Sequence, residues 1–205
     1  MTRDVRLTWQ DRPTAPPEAV GRDFRPWLDW PAREPDLGRV RLMAGDALAT
    51  ADRLLEEGMA GTFDVAFLDP PFGSEADYGR RRSLELDGQK VDLKLAAYGD
   101  SDGGDLAGYL DLLYPVLARY HALLSAEGSL YLHLDYRRGP YARALLDEIF
   151  GADALVNEII WAYGLGGSSR RRYQRKHDVI YFYAKDPKRR YFEPPHEEAT
   201  SSMLA

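Results

Sequence analysis

The chain has 205 residues, of which 44% are apolar and 29% charged, with a formal net charge of −6 and no cysteine. That length and balance fit one globular domain with its own core. They exclude a disulfide scaffold, a thiol nucleophile, a cysteine-ligated metal and a protein that coats nucleic acid through bulk charge. No apolar run approaches the roughly 18 residues of a membrane span. Met1-Thr2-Arg3-Asp4-Val5-Arg6 leads into no apolar signal core. The expectation is a cytoplasmic protein with no membrane partner.

Residues 1–37 carry Pro13, Pro16, Pro17, Pro26, Pro31 and Pro35, with Trp9, Trp27 and Trp30 among them. Proline fixes φ and removes a donor, which excludes a regular helix or a central strand. An irregular arm pinned by its tryptophans is expected. Residues 38–192 follow as the main domain and 193–205 as a loose polar tail.

Within the main domain, Arg39–Met43 alternates as a strand does, and Gly45-Asp46 turns into Ala47–Gly58. There Leu48, Ala51, Leu54 and Leu55 have helical spacing, and Gly58 suits a C-cap. Phe63–Leu68 is a second strand. Strand, helix, strand is the signature of a parallel pair. Residues 73–104 are polar, Gly-rich and charged, with Arg80-Arg81-Arg82 inside, and are expected as a long loop. Asp100-Ser101-Asp102-Gly103-Gly104-Asp105 lacks the spacing and closing Glu of a calcium loop. Asp105 reads as a helix N-cap, and no metal site is expected.

Leu106–Ala126 has helical spacing, with Pro115 expected to kink or divide it. Ser129–Leu134 reads as a strand, Tyr141–Phe150 as a helix ended by Gly151, Val156–Tyr163 as an apolar run and Val179–Tyr183 as a last strand. The alternation predicts an α/β domain, a mostly parallel sheet with helices on both faces.

Asp69-Pro70-Pro71-Phe72 sits directly on the end of the Phe63–Leu68 strand. In open α/β sheets, ligands bind beyond the carboxyl ends of strands. Two consecutive prolines present the neighbouring groups rigidly. A carboxylate and a proline carbonyl can accept two N–H bonds from an exocyclic amine while the attached ring stacks on Phe72. The alternative is a turn in which Pro-Pro merely stops the sheet.

The tetrapeptide resembles the catalytic motif of the amino-methylating DNA methyltransferases, which modify adenine N6 or cytosine N4. Gly45-Asp46, Asn157-Glu158-Ile159-Ile160-Trp161-Ala162-Tyr163, Gly166-Gly167-Ser168 and Lys176-His177-Asp178-Val179-Ile180-Tyr181-Phe182-Tyr183 extend that likeness over roughly residues 38–186. Their order resembles the permuted branch, where the catalytic half precedes the cofactor-binding half, as in type III methylase subunits. The resemblance implies a partial Rossmann-like S-adenosylmethionine-dependent methyltransferase sheet. It also implies double-stranded DNA as partner, a target base flipped from the duplex, and transfer of the methyl group of S-adenosyl-L-methionine to adenine N6. Asp69 and Pro70 would hold the amine, with Pro71 stiffening the turn and Phe72 stacking on the base. Asp46 would sit near the adenosine end of the cofactor; its other reading is an N-cap.

Arg170-Arg171-Arg172-Tyr173-Gln174-Arg175-Lys176 forms a basic stretch in an acidic chain. Its Arg and Lys residues suit phosphate contacts, and Tyr173 suits stacking on a base or sugar. The alternative is a solvated hairpin. His177 matches a recurrent family position and equally suits a structural role. Gly164-Leu165-Gly166-Gly167 opens no helix, so it is not a phosphate loop.

The acid-Pro-Phe-x-Gly-x-Gly cofactor loop of the family has no match in these residues. The expectation is a fragment, split half or remnant whose cofactor site is incomplete and which binds the cofactor weakly alone. A second chain or C-terminal segment would then carry the cofactor loop and the target-recognition region. The alternatives are an inactive DNA-binding or assembly subunit, and methylation of cytosine N4, RNA or a protein amide.

Overall fold

The computed structural model describes residues 7–9, 11–12, 15, 24–31, 39–72, 77–86, 89–99, 105–164 and 170–194. Its central element is a four-stranded sheet in the order β3–β6–β8–β7, formed by β3 (Phe63–Leu68), β6 (Leu124–Asp135), β7 (Leu155–Ala162) and β8 (His177–Ala184). β3 and β6 run parallel, while β8 is antiparallel to both β6 and β7. The α/β class holds, but one of three described pairings is parallel, not most of them. The link from β7 to β8 is charged and Gly-rich, and β8 returns antiparallel beside β7.

Two helices cover one face of this sheet. α2 (Leu106–Leu123) and α3 (Gly139–Phe150) place Tyr109, Leu110, Leu113, Leu117, Ala142, Leu145 and Leu146 against Leu130, Leu132 and Leu134 of β6 and Val179, Tyr181 and Tyr183 of β8. Each fully buried leucine contributes about 1.5–3 kcal/mol over an exposed one. α1 (Ala47–Glu56) packs on α2 through Ala51, Leu54 and Leu123. Among the described residues, helices thus lie on one face, not both. On the opposite face Tyr131 stacks on Phe182 at 4.5 Å, with Phe192 beside it. Val65 and Phe67 stand there 60% exposed.

Several local expectations need correction. β2 (Arg39–Gly45) does not join β3 in a parallel pair; its partner is β1 (Phe24–Pro31), antiparallel to it in a separate two-stranded sheet. The arm therefore contains a strand, and a two-stranded ribbon consists only of edges, where proline is tolerated. Residues 73–104 are not simply a loop, since β4 (Asp77–Leu86) and β5 (Gln89–Gly99) pair antiparallel. The signal was Asp87-Gly88 between alternating Leu84, Leu86 and Val91, Leu93, Leu95. Residues 100–104 lie outside the described residues. Asp105 caps α2, its Oδ1 accepting from the Gly108 N–H at 2.7 Å. α2 runs unbroken through Pro115, which is buried, and β6 starts directly at its end.

The arm is anchored where it is described. Trp9 Nε1 donates to Asp111 Oδ1 of α2 at 2.7 Å. Arg12 pairs with Glu148 of α3 and lies over the rings of Trp9 and Tyr114 at 4.9 and 5.0 Å. That carboxylate raises the Arg12 pKa further above its usual range.

Candidate active site

The parallel register of β3 and β6 builds the site. Leu68 lies opposite Leu132, so the residues that follow, Asp69 and His133, are neighbours at the carboxyl ends of two adjacent strands. Alternation puts Leu132 and Leu134 in the core and His133 on the other face. Asp69 Oδ1 lies 3.0 Å from His133 Nδ1. A carboxylate only accepts, so Nδ1 carries the proton of this bond. Pro70 is half-buried and Pro71 exposed; the half-buried Phe72 packs on the core. Phe72 meets the His133 ring T-shaped, with centroids 5.2 Å apart and planes at 88°. Carboxylate, imidazole and aromatic plate therefore share one corner.

The start of β8 closes this corner from the far side of β6. Its antiparallel direction brings Asp178 opposite Asp135. Asp178 Oδ2 stands 3.7 Å from His133 Nε2, and its Oδ1 accepts from the Tyr163 hydroxyl at 3.3 Å. Desolvation, and then the Asp178 charge, push the Tyr163 pKa up. Asp135 holds the turn after β6, accepting from the N–H groups of Arg137 and Arg138 at 2.9 and 3.1 Å and from Arg137 Nε at 2.5 Å. That turn presents Tyr136. Arg175 lies over its ring at 5.1 Å, and Arg175 Nη1 donates to its hydroxyl at 3.3 Å.

The basic stretch is placed by the same topology. It joins the end of β7 to the start of β8, and so lies at the same end of the sheet as Asp69, although β7 and β3 are opposite edge strands. Arg170, Arg171, Arg172, Tyr173 and Arg175 are exposed, Tyr173 almost completely, while the Lys176 carbonyl accepts from the Tyr163 N–H at 3.2 Å. Residues 165–169 lie outside the described residues. His177 sits beside Tyr136, with ring centroids 6.1 Å apart.

Asp46 has the capping role. Its Oδ1 accepts from the N–H groups of Leu48 and Ala49 at 3.0 and 3.1 Å, at the start of a helix that lies outside the four-stranded sheet. A cavity of about 440 Å³ opens toward the other end of β3, lined by Asp64, Val65, Ser129, Tyr131 and Phe192 among others, away from the tetrapeptide. Among the described residues, no helix is long and apolar enough to cross a membrane, and no group of three or more His, Asp or Glu is gathered as a metal would need.

Sequence reading missed His133 and the part played by Asp178. The signal for His133 was Leu132-His133-Leu134-Asp135, polar residues alternating with leucines in a buried strand. Without the register of β6 on β3, that alternation names no partner.

A family model described as DNA methylase, for the N6/N4 class, matches residues 63–203. The Mod subunit of the type III restriction-modification enzyme StyLTI of Salmonella typhimurium is 26% identical over 129 residues, covering 58% of this chain and 20% of that protein. The DNA adenine methyltransferase YhdJ of Escherichia coli is 24% identical over 148 residues, covering 72% of this chain and 42% of that protein. The chain thus spans less than half the length of either relative. Among solved structures, the M1.HpyAVI–SAM complex aligns with a TM-score of 0.45 and 18% identity, over 76% of this chain and 59% of that one. The family match starts at Phe63 and takes in Asp69, Phe72, His133 and Asp178, and the chain belongs to the N6/N4 DNA methylase family.

Proposed function

We propose that this chain provides the amine-holding part of a DNA N6-adenine methyltransferase centre, with Asp69 as the acceptor of the target amine. One observation carries this reading. Asp69 stands at a strand end with Oδ1 engaged by His133, and the same imidazole braces Phe72. Asp69 Oδ2 and the Pro70 carbonyl would take the two N–H bonds of the exocyclic amine, and Phe72 would stack on the flipped base. Withdrawing both N–H groups from water orients the nitrogen lone pair for in-line attack. Pro71 limits backbone motion while this happens.

The methyl donor in this reading is S-adenosyl-L-methionine, which supplies an electrophilic methyl group when bound. The described residues fit the acceptor side of such a centre and not the donor side. Asp46 has Oδ1 engaged in capping α1. The exposed Val65 and Phe67 lie on β3, whose only described strand partner is β6. That strand edge and the apolar face beside it suit cover by further elements from a second chain or a C-terminal segment. Double-stranded DNA would approach the carboxyl end of the sheet, with Arg170, Arg171, Arg172, Arg175 and Lys176 on phosphates and Tyr173 stacking.

The relative named as an adenine methyltransferase, and the acid Asp69 at the first position of the tetrapeptide, support adenine over cytosine. The exposed β3 edge also favours a second reading, an assembly subunit that binds DNA without methylating it. Labelled S-adenosyl-L-methionine and DNA distinguish the two. Label recovered as N6-methyladenine with the wild type and absent with Asp69→Ala supports the enzyme. DNA binding without label supports the subunit.

A further inference from the structure

We infer that His133 is a positioning residue that sets the direction of the Asp69 carboxylate. The inference rests on the reading of Asp69 as the amine acceptor and adds the device that aims it.

The Asp69 side chain is 60% exposed, so packing does not choose its rotamer. The bond from His133 Nδ1 at 3.0 Å makes that choice and leaves Oδ2 for a ligand. His133 is itself only 23% exposed in its side chain. Its ring is held on a further side by Phe72, and Asp178 Oδ2 stands 3.7 Å from Nε2. That separation is too long for a hydrogen bond. Asp178 is steadied in turn by the Tyr163 hydroxyl. Tyr163, Asp178, His133 and Asp69 thus form a row across the carboxyl ends of β3, β6 and β7 and the start of β8. Because one imidazole touches both Asp69 and Phe72, it also fixes the spacing between the amine acceptor and the stacking plate.

The geometry separates this role from simple packing. The amide nitrogen of Asn can stand where His133 Nδ1 does, whereas that of Gln stands where Nε2 does. In methyl transfer to DNA, His133→Asn should keep kcat within about threefold of wild type. His133→Gln and His133→Leu should lose about ten- to hundredfold in kcat, as for a hydrogen bond to a charged group. KM for DNA should stay within about twofold. Equal losses in all three variants would overturn the inference, since packing alone cannot favour Asn.

A second measurement needs no activity. Long-range proton–nitrogen correlation on the full chain should show the His133 ring as the Nδ1–H tautomer, with its signal displaced by Asp69→Asn. An Nε2–H tautomer, or a signal indifferent to Asp69→Asn, would overturn the inference. If the wild type transfers no methyl group, the functional reading fails, and the tautomer alone decides whether His133 holds Asp69.

Discussion

Gly128→Ala tests the strand pairing on which the site depends. β3 and β6 pair at Phe63 with Leu124 and again at Val65 with Ser129, so β6 spends extra residues in a bulge between those points. Gly128 lies in that bulge against β3. A Cβ there would stand 2.7 Å from the Phe63 carbonyl oxygen, 3.0 Å from the Ser125 nitrogen and 3.1 Å from Leu124 Cβ, where ordinary contact begins at 3.4 Å. Two of those atoms are backbone and cannot rotate aside, so β3 must part from β6 by several tenths of an ångström. Overpacking of this kind costs about 1–3 kcal/mol. For a chain of this size that is a fall in Tm of about 2–12 °C. Urea and thermal unfolding followed by tryptophan fluorescence would measure it. Gly164→Ala is the control, with nothing within 4 Å, and should stay within about 0.5 kcal/mol of wild type. A Gly128→Ala protein as stable as the control would refute the register that sets Asp69 beside His133.

Trp9→Phe keeps the ring but removes the Nε1–H bond to Asp111; it should cost about 0.5–1.5 kcal/mol and speed proteolysis within the arm. Burial pushes the Tyr181 pKa up from 10.0 to about 12, and that of Tyr183, which donates to Asp147, further still. The folded chain therefore keeps protons that the unfolded chain releases, so stability present below pH 10.0 is lost as the pH rises toward about 12. Urea midpoints that stay constant across that window would contradict this placement of the tyrosines. Arg170→Ala with Arg172→Ala should lower the slope of log K against log salt for duplex DNA by about 2, as for two lost phosphate contacts. An unchanged slope would leave the basic stretch as a solvated loop.

The parts that were legible in sequence are those that local chemistry decides. Asp69-Pro70-Pro71-Phe72 announces a rigid acceptor beside an aromatic plate, and Asp105 caps its helix as its position suggests. Asp46 had two readings, and the hydrogen bonds to Leu48 and Ala49 bear out the capping one. What depended on long-range pairing was not legible. His133 acquires a partner only when β6 lies parallel to β3, and Asp178 only when β8 runs antiparallel to β6. The strand–helix–strand rhythm of residues 39–68 suggested a parallel pair, yet β2 is taken by β1. Pro115 argued for a broken helix, but it lies buried in α2, where packing outweighs intrinsic propensity. The β4–β5 ribbon was hidden by the charges of Arg80-Arg81-Arg82, although the sequence Asp87-Gly88 stood in plain view between its strands.

The central claim is that Asp69 holds a DNA base amine for methylation. It is tested most directly by incubating the chain, in its native assembly, with DNA and methyl-labelled S-adenosyl-L-methionine, then separating the nucleosides. Asp69→Asn preserves size and replaces one acceptor oxygen with a donor. The account predicts label in N6-methyladenine with the wild type and a loss of at least about a hundredfold with Asp69→Asn. Undiminished labelling by Asp69→Asn, or label found in protein and not in DNA, would contradict it.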